Sequence, residues 1–281
     1  MKHPLDREGI DNAWCAGCGN FGILKLLKEV LTELNMDPKN TVIVSGIGQA
    51  AKTPYYIDTH MFCGLHGRAL PISTALKASN PALHVIAEGG DGDMYGEGGN
   101  HFMHTIRRNP DIVHIVHNNM VYGLTKGQAS PTSQKGFQTP VQVNGVTNEP
   151  FNPISVALAL KAGFASRVNI GNYAHAKRVL MEAFLHKGYA LVDVFQACVV
   201  FNKVNTPKWF KDNTYELESS HDSSNLSSAM QKALENDPMP LGIFYQAESA
   251  TFEEHLRGDE KRALFSLSHD LNKMKELFEL Y

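Results

Sequence analysis

The chain has 281 residues, 43% of them hydrophobic and 20% charged, and a formal net charge of −3. That length buries a full core, as one large domain or one with an appendage, and without any basic block nucleic acid is not an expected partner. No apolar run approaches membrane-spanning length and the first residues lack a signal-peptide core, so no membrane association and a cytoplasmic location are expected.

In chain order, residues 20–34 carry an amphipathic helical pattern, and the β-branched run 41–45 reads as a strand that breaks into Gly46-Ile47-Gly48. A helix is expected over 69–78, a buried strand over 83–87, a helix over 100–108 and a second buried strand over 112–116. Residues 122–153 are polar and aperiodic, too long for an ordinary connection. Helix and strand then alternate through 154–162, 164–168, 173–186 and 190–195. Polar sequence fills 202–227, a last strand is expected at 241–245, and 253–280 reads as a charged, peripheral helical region. The expected fold class is α/β, a doubly wound, mostly parallel sheet, with residues 1–250 as one domain and 251–281 as a C-terminal helical extension.

The most informative pattern is Gly90-Asp91-Gly92-Asp93 at the end of one apolar run, answered by Asn118-Asn119 at the end of the next. One βαβ unit separates them, which puts Asp91 and Asn119 side by side at the carboxyl edge of the sheet, where open α/β folds bind ligands. A carboxylate and an amide oxygen there suit Mg²⁺, which takes one or two carboxylates and completes its shell with diphosphate oxygens and water. Taken singly, each half reads as a plain turn; the pairing favours a site. The spacing resembles the diphosphate-binding domain of thiamine diphosphate enzymes.

Four cysteines in an intracellular chain point to metal, catalysis or core packing before disulfides. Cys15-Ala16-Gly17-Cys18 precedes the first helix, and Cys198 follows the run 190–195. The C-x-x-C has three readings: a zinc half-site, a redox dithiol, or two ligands of an iron–sulfur cluster. No second pair completes a zinc site, and no thioredoxin-like βαβ unit precedes it. Lys52 follows the GIG turn, His66 and Arg68 open the next segment, and all three are expected at the carboxyl edge as contacts for substrate anions. Lys126, in the long loop, is a weaker candidate, and His101, His104, His114 and His117 read mostly as packing or surface residues.

Taken together, WCAGCG, VSGIG, GLHGRALPIS, GGDGD, RRNPDI and YGLTKGQASPTS, in that order over residues 12–133, resemble the β subunit of the 2-oxoacid:ferredoxin oxidoreductases, with thinner echoes in FQACVVFN and PLGIFYQAE. The resemblance implies thiamine diphosphate and Mg²⁺ bound by Asp91, Asn119 and Val121, with Gly48, Gly64, His66, Gly90, Gly92, Asp93, Gly123 and Leu124 around the cofactor. It also implies a [4Fe–4S] cluster, an α subunit that completes the active site, ferredoxin as electron partner, and a 2-oxoacid and coenzyme A as substrates. Of the 2-oxoacids, 2-oxoglutarate is expected over pyruvate, with Lys52 offering a contact to the distal carboxylate. The family holds its cluster with four cysteines; Cys15, Cys18 and Cys198 match three, and Gln49 stands at the fourth position. Cys63 is expected to take that role; a buried, apolar Cys63 with a three-cysteine cluster or none is the alternative. A non-oxidative split thiamine diphosphate decarboxylase leaves the cysteines without a role, and an electron-transfer or assembly subunit leaves the Mg²⁺ motif without one.

Overall fold

The computed structural model describes residues 3–258, 260–268 and 270–280. Met1, Lys2, Asp259, His269 and Tyr281 lie outside the described residues, and with them the outer limits of the two expected segments. The first helix, α1 (Asn20–Glu33), buries Ile23, Leu24, Leu27, Val30 and Leu31 along one stripe, the spacing of an amphipathic helix. Strand β1 (Thr41–Ser45) is buried at every position. Strand β2 (His60–Cys63) pairs parallel to β1 and is exposed throughout. Helix α2 (Ala69–Ser79), β3 (His84–Gly90), α3 (Gly99–Arg108) and β4 (Ile112–Asn118) follow. After the long loop come α4 (Pro153–Ala159), β5 (Phe164–Asn169), α5 (Tyr173–Leu185) and β6 (Tyr189–Phe195). The remaining elements are α6 (Pro207–Asp212), β7 (Thr214–Glu216), α7 (Leu226–Ala233), β8 (Met239–Gln246), α8 (Phe252–Arg257) and α9 (Leu271–Glu279).

The described residues form an eight-stranded sheet in the order β2-β1-β3-β4-β6-β5-β8-β7. Every pairing is parallel except β5 with β8. Strands buried on both faces need continuous apolar runs, and two cores supply the cover. One packs α1 and α5 (Leu27, Val30, Val179, Leu180) on Ile43, Ile86, Ile115 and Val192. The other packs α2, α3, α4 and α7 (Leu70, Phe102, Leu158, Ala229) on Val44, Ala87, Val116 and Leu191. The doubly wound, mostly parallel sheet expected from the sequence is the one observed.

Strand order places the site. From β1 the chain moves outward to β2, then returns past β1 to β3, so the connections leaving β1 and β3 diverge and open a crevice at their carboxyl ends. Within the expected C-terminal extension, α8 is docked: the Phe252 N–H donates to the Asn109 carbonyl at 3.1 Å, and Glu253 Oε1 accepts from the Asp111 N–H at 3.0 Å. Helix α9 has no buried residue. No helix among the described residues is long and apolar enough to cross a membrane.

Burial therefore predicts opposite outcomes for two aliphatic truncations. Ile43→Ala, in the fully enclosed β1, should cost about 2–5 kcal/mol in urea unfolding. Leu277→Ala, on α9 and 58% exposed, should change it by less than about 0.5 kcal/mol.

Candidate active site

At the crevice lies a cavity of about 510 Å³ whose wall includes Cys15, Cys18 and Cys198 together with Gly90, Asp91, Asn119 and Val121. Asp91, 1% exposed, follows β3 directly and leads into a single π-helical segment, Gly92–Glu97. Its Oδ2 accepts from the Ser130 hydroxyl at 2.5 Å and the Thr132 hydroxyl at 2.6 Å. Burial nevertheless outweighs these bonds and pushes the carboxyl up from its ordinary value of 3.8 to about 6. Gly92 is required by shape: a Cβ there would stand 2.2 Å from the Tyr122 ring.

Asp93 ties the walls together. Its Oδ1 accepts from the Gly67 N–H at 2.7 Å and the Ile47 N–H at 3.2 Å, joining the loops that follow β1 and β2 to the end of β3. Gly67, at φ +72°, sits where a Cβ would lie 2.5 Å from the Glu97 backbone. Burial raises the Asp93 carboxyl, and its Oδ2 is buried without a partner among the described residues. His66 stands between acids, its Nδ1 3.1 Å from Glu97 Oε2 and its Nε2 3.7 Å from Asp93 Oδ1. The Tyr122 hydroxyl donates to Glu97 Oε2 at 3.0 Å.

On the sulfur side, burial pushes the Cys18 thiol up, and the neighbouring Cys198 and Cys15 add to the effect. Behind it runs a buried chain: the Glu88 Oε1 to His117 Nε2 contact is 2.6 Å, His117 Nδ1 lies 2.9 Å from Asn20 Oδ1, and the Gln196 amide donates to the same Asn20 oxygen at 2.6 Å.

Residues 40–194 match the family described as "Thiamine pyrophosphate enzyme, C-terminal TPP binding domain", and residues 198–261 match the C-terminal family of the pyruvate ferredoxin oxidoreductase β subunit. The 2-oxoacid:ferredoxin oxidoreductase subunit beta of Sulfolobus sp is 40% identical over 283 residues, spanning 95% of this chain and 91% of that one. The 2-oxoglutarate synthase subunit KorB of Methanocaldococcus jannaschii is 30% identical, over 90% of this chain and 96% of that one. A solved 2-oxoglutarate:ferredoxin oxidoreductase from Magnetococcus marinus, with 2-oxoglutarate, coenzyme A and succinyl-CoA bound, superposes with a TM-score of 0.92 at 32% identity, covering 97% of this chain and 94% of that one. The chain belongs to the 2-oxoacid:ferredoxin oxidoreductase β subunits.

This β subunit thus carries the thiamine diphosphate-binding domain of an oxidoreductase. Of the residues singled out in its sequence, Cys15, Cys18, Cys198, Gly48, His66, Gly90, Asp91, Gly92, Asp93, Asn119, Val121, Gly123 and Leu124 line the one cavity. Cys63, Lys52, Gly64 and Arg68 do not. Cys63 is exposed, neither the buried apolar residue nor the cavity ligand considered from the sequence. It lies on the edge strand β2, its sulfur 3.5 Å from the Ser45 hydroxyl and in contact with Tyr55. Lys52 sits half-buried in the 3₁₀ segment Ala50–Tyr56, and Arg68 is exposed at the start of α2. Lys126 is exposed as well. Gly64 serves the backbone, its N–H donating to the Ser45 carbonyl at 2.7 Å. His117, read as packing, belongs to the buried chain behind Cys18. Sequence reading missed Trp14 and Tyr122 on the wall, and Ser130 and Thr132 beneath it, and noted Gln49 only as the residue standing where the family has a cysteine. A run of hydroxyls in the long loop, Ser130-Pro131-Thr132-Ser133, was the available signal for the last two.

The raised Asp91 pKa gives a signed pH dependence. Below about pH 4 the group is neutral folded and unfolded and costs nothing; above about 6 the folded state bears the full cost of a buried charge. About two pKa units correspond to roughly 3 kcal/mol. Without cofactor, Asp91→Asn should be more stable than wild type by up to about 3 kcal/mol at pH 8, and the advantage should vanish by about pH 4. Paired urea titrations across that range measure it.

Proposed function

We propose that this chain is the β subunit of a 2-oxoglutarate:ferredoxin oxidoreductase, working in the cytoplasm with an α subunit that completes the active site. The reaction converts 2-oxoglutarate and coenzyme A to succinyl-CoA and CO₂ and passes two electrons to ferredoxin; the same groups serve the reverse, CO₂-fixing direction. The observation that carries the reading is the shared wall: a buried carboxylate at a switch point and three cysteines line one cavity. The names of the relatives from Methanocaldococcus jannaschii and Magnetococcus marinus support 2-oxoglutarate as the substrate class.

The donor set fits thiamine diphosphate with Mg²⁺. Asp91 is a buried carboxylate whose charge nothing on the wall neutralises, and Mg²⁺ prefers such hard oxygen ligands together with phosphate oxygens. Asp91, the Asn119 side chain and the Val121 carbonyl would hold the ion. Gly90, whose added Cβ would meet only the His117 carbonyl, at 3.9 Å, leaves room for close approach of the diphosphate. When bound, thiamine diphosphate supplies an electron sink for decarboxylation, and a [4Fe–4S] cluster removes the electrons singly. His66 is held on the cavity wall between Glu97 and Asp93. Ser130 and Thr132 fix the orientation of Asp91. Cys15, Cys18 and Cys198 would hold the cluster, and four unpaired cysteines suit a reducing compartment.

The test is the αβ complex assembled anaerobically. Its kcat/KM should favour 2-oxoglutarate over pyruvate by about tenfold or more, a difference of about 1.4 kcal/mol or more. Equal turnover of the two acids overturns the substrate assignment. Asp91→Ala in that complex should abolish calorimetrically detected binding of thiamine diphosphate with Mg²⁺, and the β subunit alone should turn over neither substrate. Lys52→Met, outside the cavity, should leave the substrate ratio unchanged.

A further inference from the structure

Gln49 lines the cavity that holds Cys15, Cys18 and Cys198. Its backbone carbonyl accepts the Trp14 indole N–H at 2.7 Å, so the residue preceding Cys15 is fastened to the Gln49 loop. Trp14 is itself packed edge-on against Phe21 and Tyr56 with ring centres 5.5 and 4.9 Å away, which makes that fastening rigid. The Gln49 side-chain oxygen Oε1 is buried and has no hydrogen-bond partner among the described residues. A buried amide oxygen in that state is unfavourable, and it belongs to a residue on the same wall as the three cysteines. The remaining cysteine, Cys63, is on the outer edge of the sheet with Ser45 and Tyr55 as neighbours.

We infer that the iron–sulfur cluster of this chain is held by three thiolates, Cys15, Cys18 and Cys198, and that its fourth iron faces the amide of Gln49 in place of a thiolate. The inference rests on the reading that these cysteines hold a cluster. An amide oxygen is neutral and hard where a thiolate is anionic and soft, so it binds iron more weakly. The cluster then carries one negative charge fewer than with four thiolates, which raises its reduction potential. The weakly held iron is also the one that leaves on oxidation. A one-electron oxidant such as ferricyanide takes the electron as [4Fe–4S]²⁺ becomes [3Fe–4S]⁺ and releases Fe²⁺.

The experiment uses the αβ complex isolated anaerobically, with iron and sulfide analysis and electron paramagnetic resonance before and after ferricyanide. Wild type should lose one iron in four from this cluster and develop the signal of an oxidised three-iron centre, which added Fe²⁺ and reductant reverse. Gln49→Cys should suppress that signal and lower the potential, and Cys63→Ser should behave as wild type. Gln49→Ala, a truncation that adds no bulk, should yield the three-iron centre at least as fast as wild type. Retention of the fourth iron by wild type or by Gln49→Ala, a Gln49→Cys protein that loses iron as wild type does, or a cluster altered by Cys63→Ser each overturns the inference. Iron and sulfide unchanged in Cys15→Ser would instead sink the underlying reading of the three cysteines.

Discussion

A single unfavourable placement organises the site: the Asp91 carboxylate is held at the end of a central strand with 1% of its surface exposed. A charge in that position demands donors, and the sheet cannot provide enough of them because the strand backbones are already paired. The long loop after β4 supplies the rest. Ser130 and Thr132 reach back to Asp91, Ser133 donates to the Met120 carbonyl at 2.7 Å, and the Phe151 N–H closes onto the Pro131 carbonyl at 2.8 Å. The loop's length and polarity, which look like poor ordering in a one-dimensional reading, are what a buried carboxylate needs around it. The two carboxylates of the Gly-Asp-Gly-Asp turn divide the work. Asp91 is held by the long loop's hydroxyls, and Asp93 fastens the flanking loops.

The same logic continues inside the sheet, where parallel strands ordinarily carry only apolar side chains. Arg167 Nε donates to Asp193 Oδ2 at 3.2 Å, the Asn118 amide donates to Asp193 Oδ1 at 3.0 Å, and Thr132 lies 2.9 Å from Asn118 Oδ1. A continuous polar ladder therefore runs from the β5 ion pair to the hydroxyl that orients Asp91. A second ladder, Glu88 to His117 to Asn20, ends beside Cys18. Removing one partner of a buried ion pair leaves an uncompensated charge and costs several kcal/mol, so both halves of the cavity are braced from within the core.

How much of this was readable follows from the range of the interactions. Apart from β2, the strands and α-helices from α1 to β6 are set by local periodicity, and the Asp91–Asn119 pairing by one βαβ unit, so residue order alone brought them close. The edge strand β2 was not legible because His60, Met61, Phe62 and Cys63 are all exposed and show no alternation. The π-helical segment after Asp91 escaped because Gly92-Asp93-Met94-Tyr95-Gly96-Glu97, with two glycines in six residues, carries no helical pattern of apolar side chains. Ser130 and Thr132 contact Asp91 from about forty positions away, a distance over which composition suggests polarity and nothing about its target.

Lys52 and Cys63 show where linear proximity misleads. Both stand near the glycine turns that build the site, yet neither faces the cavity. Strand β2 runs parallel to β1 with Cys63 level with Ser45, the last residue of β1. A residue level with the strand end on an outer strand is one strand spacing farther from the crevice between β1 and β3, about 4.8 Å. Gln49, by contrast, lies beyond the Gly46-Ile47-Gly48 turn, which carries the chain out past the strand end and over the crevice. Bringing Cys63 onto the cavity wall would require the β1–β2 pairing to shift, and a one-residue slip reverses the face of every side chain on the strand. Sheet register, more than the number of cysteines, decides which residues share the cavity wall with Cys15, Cys18 and Cys198.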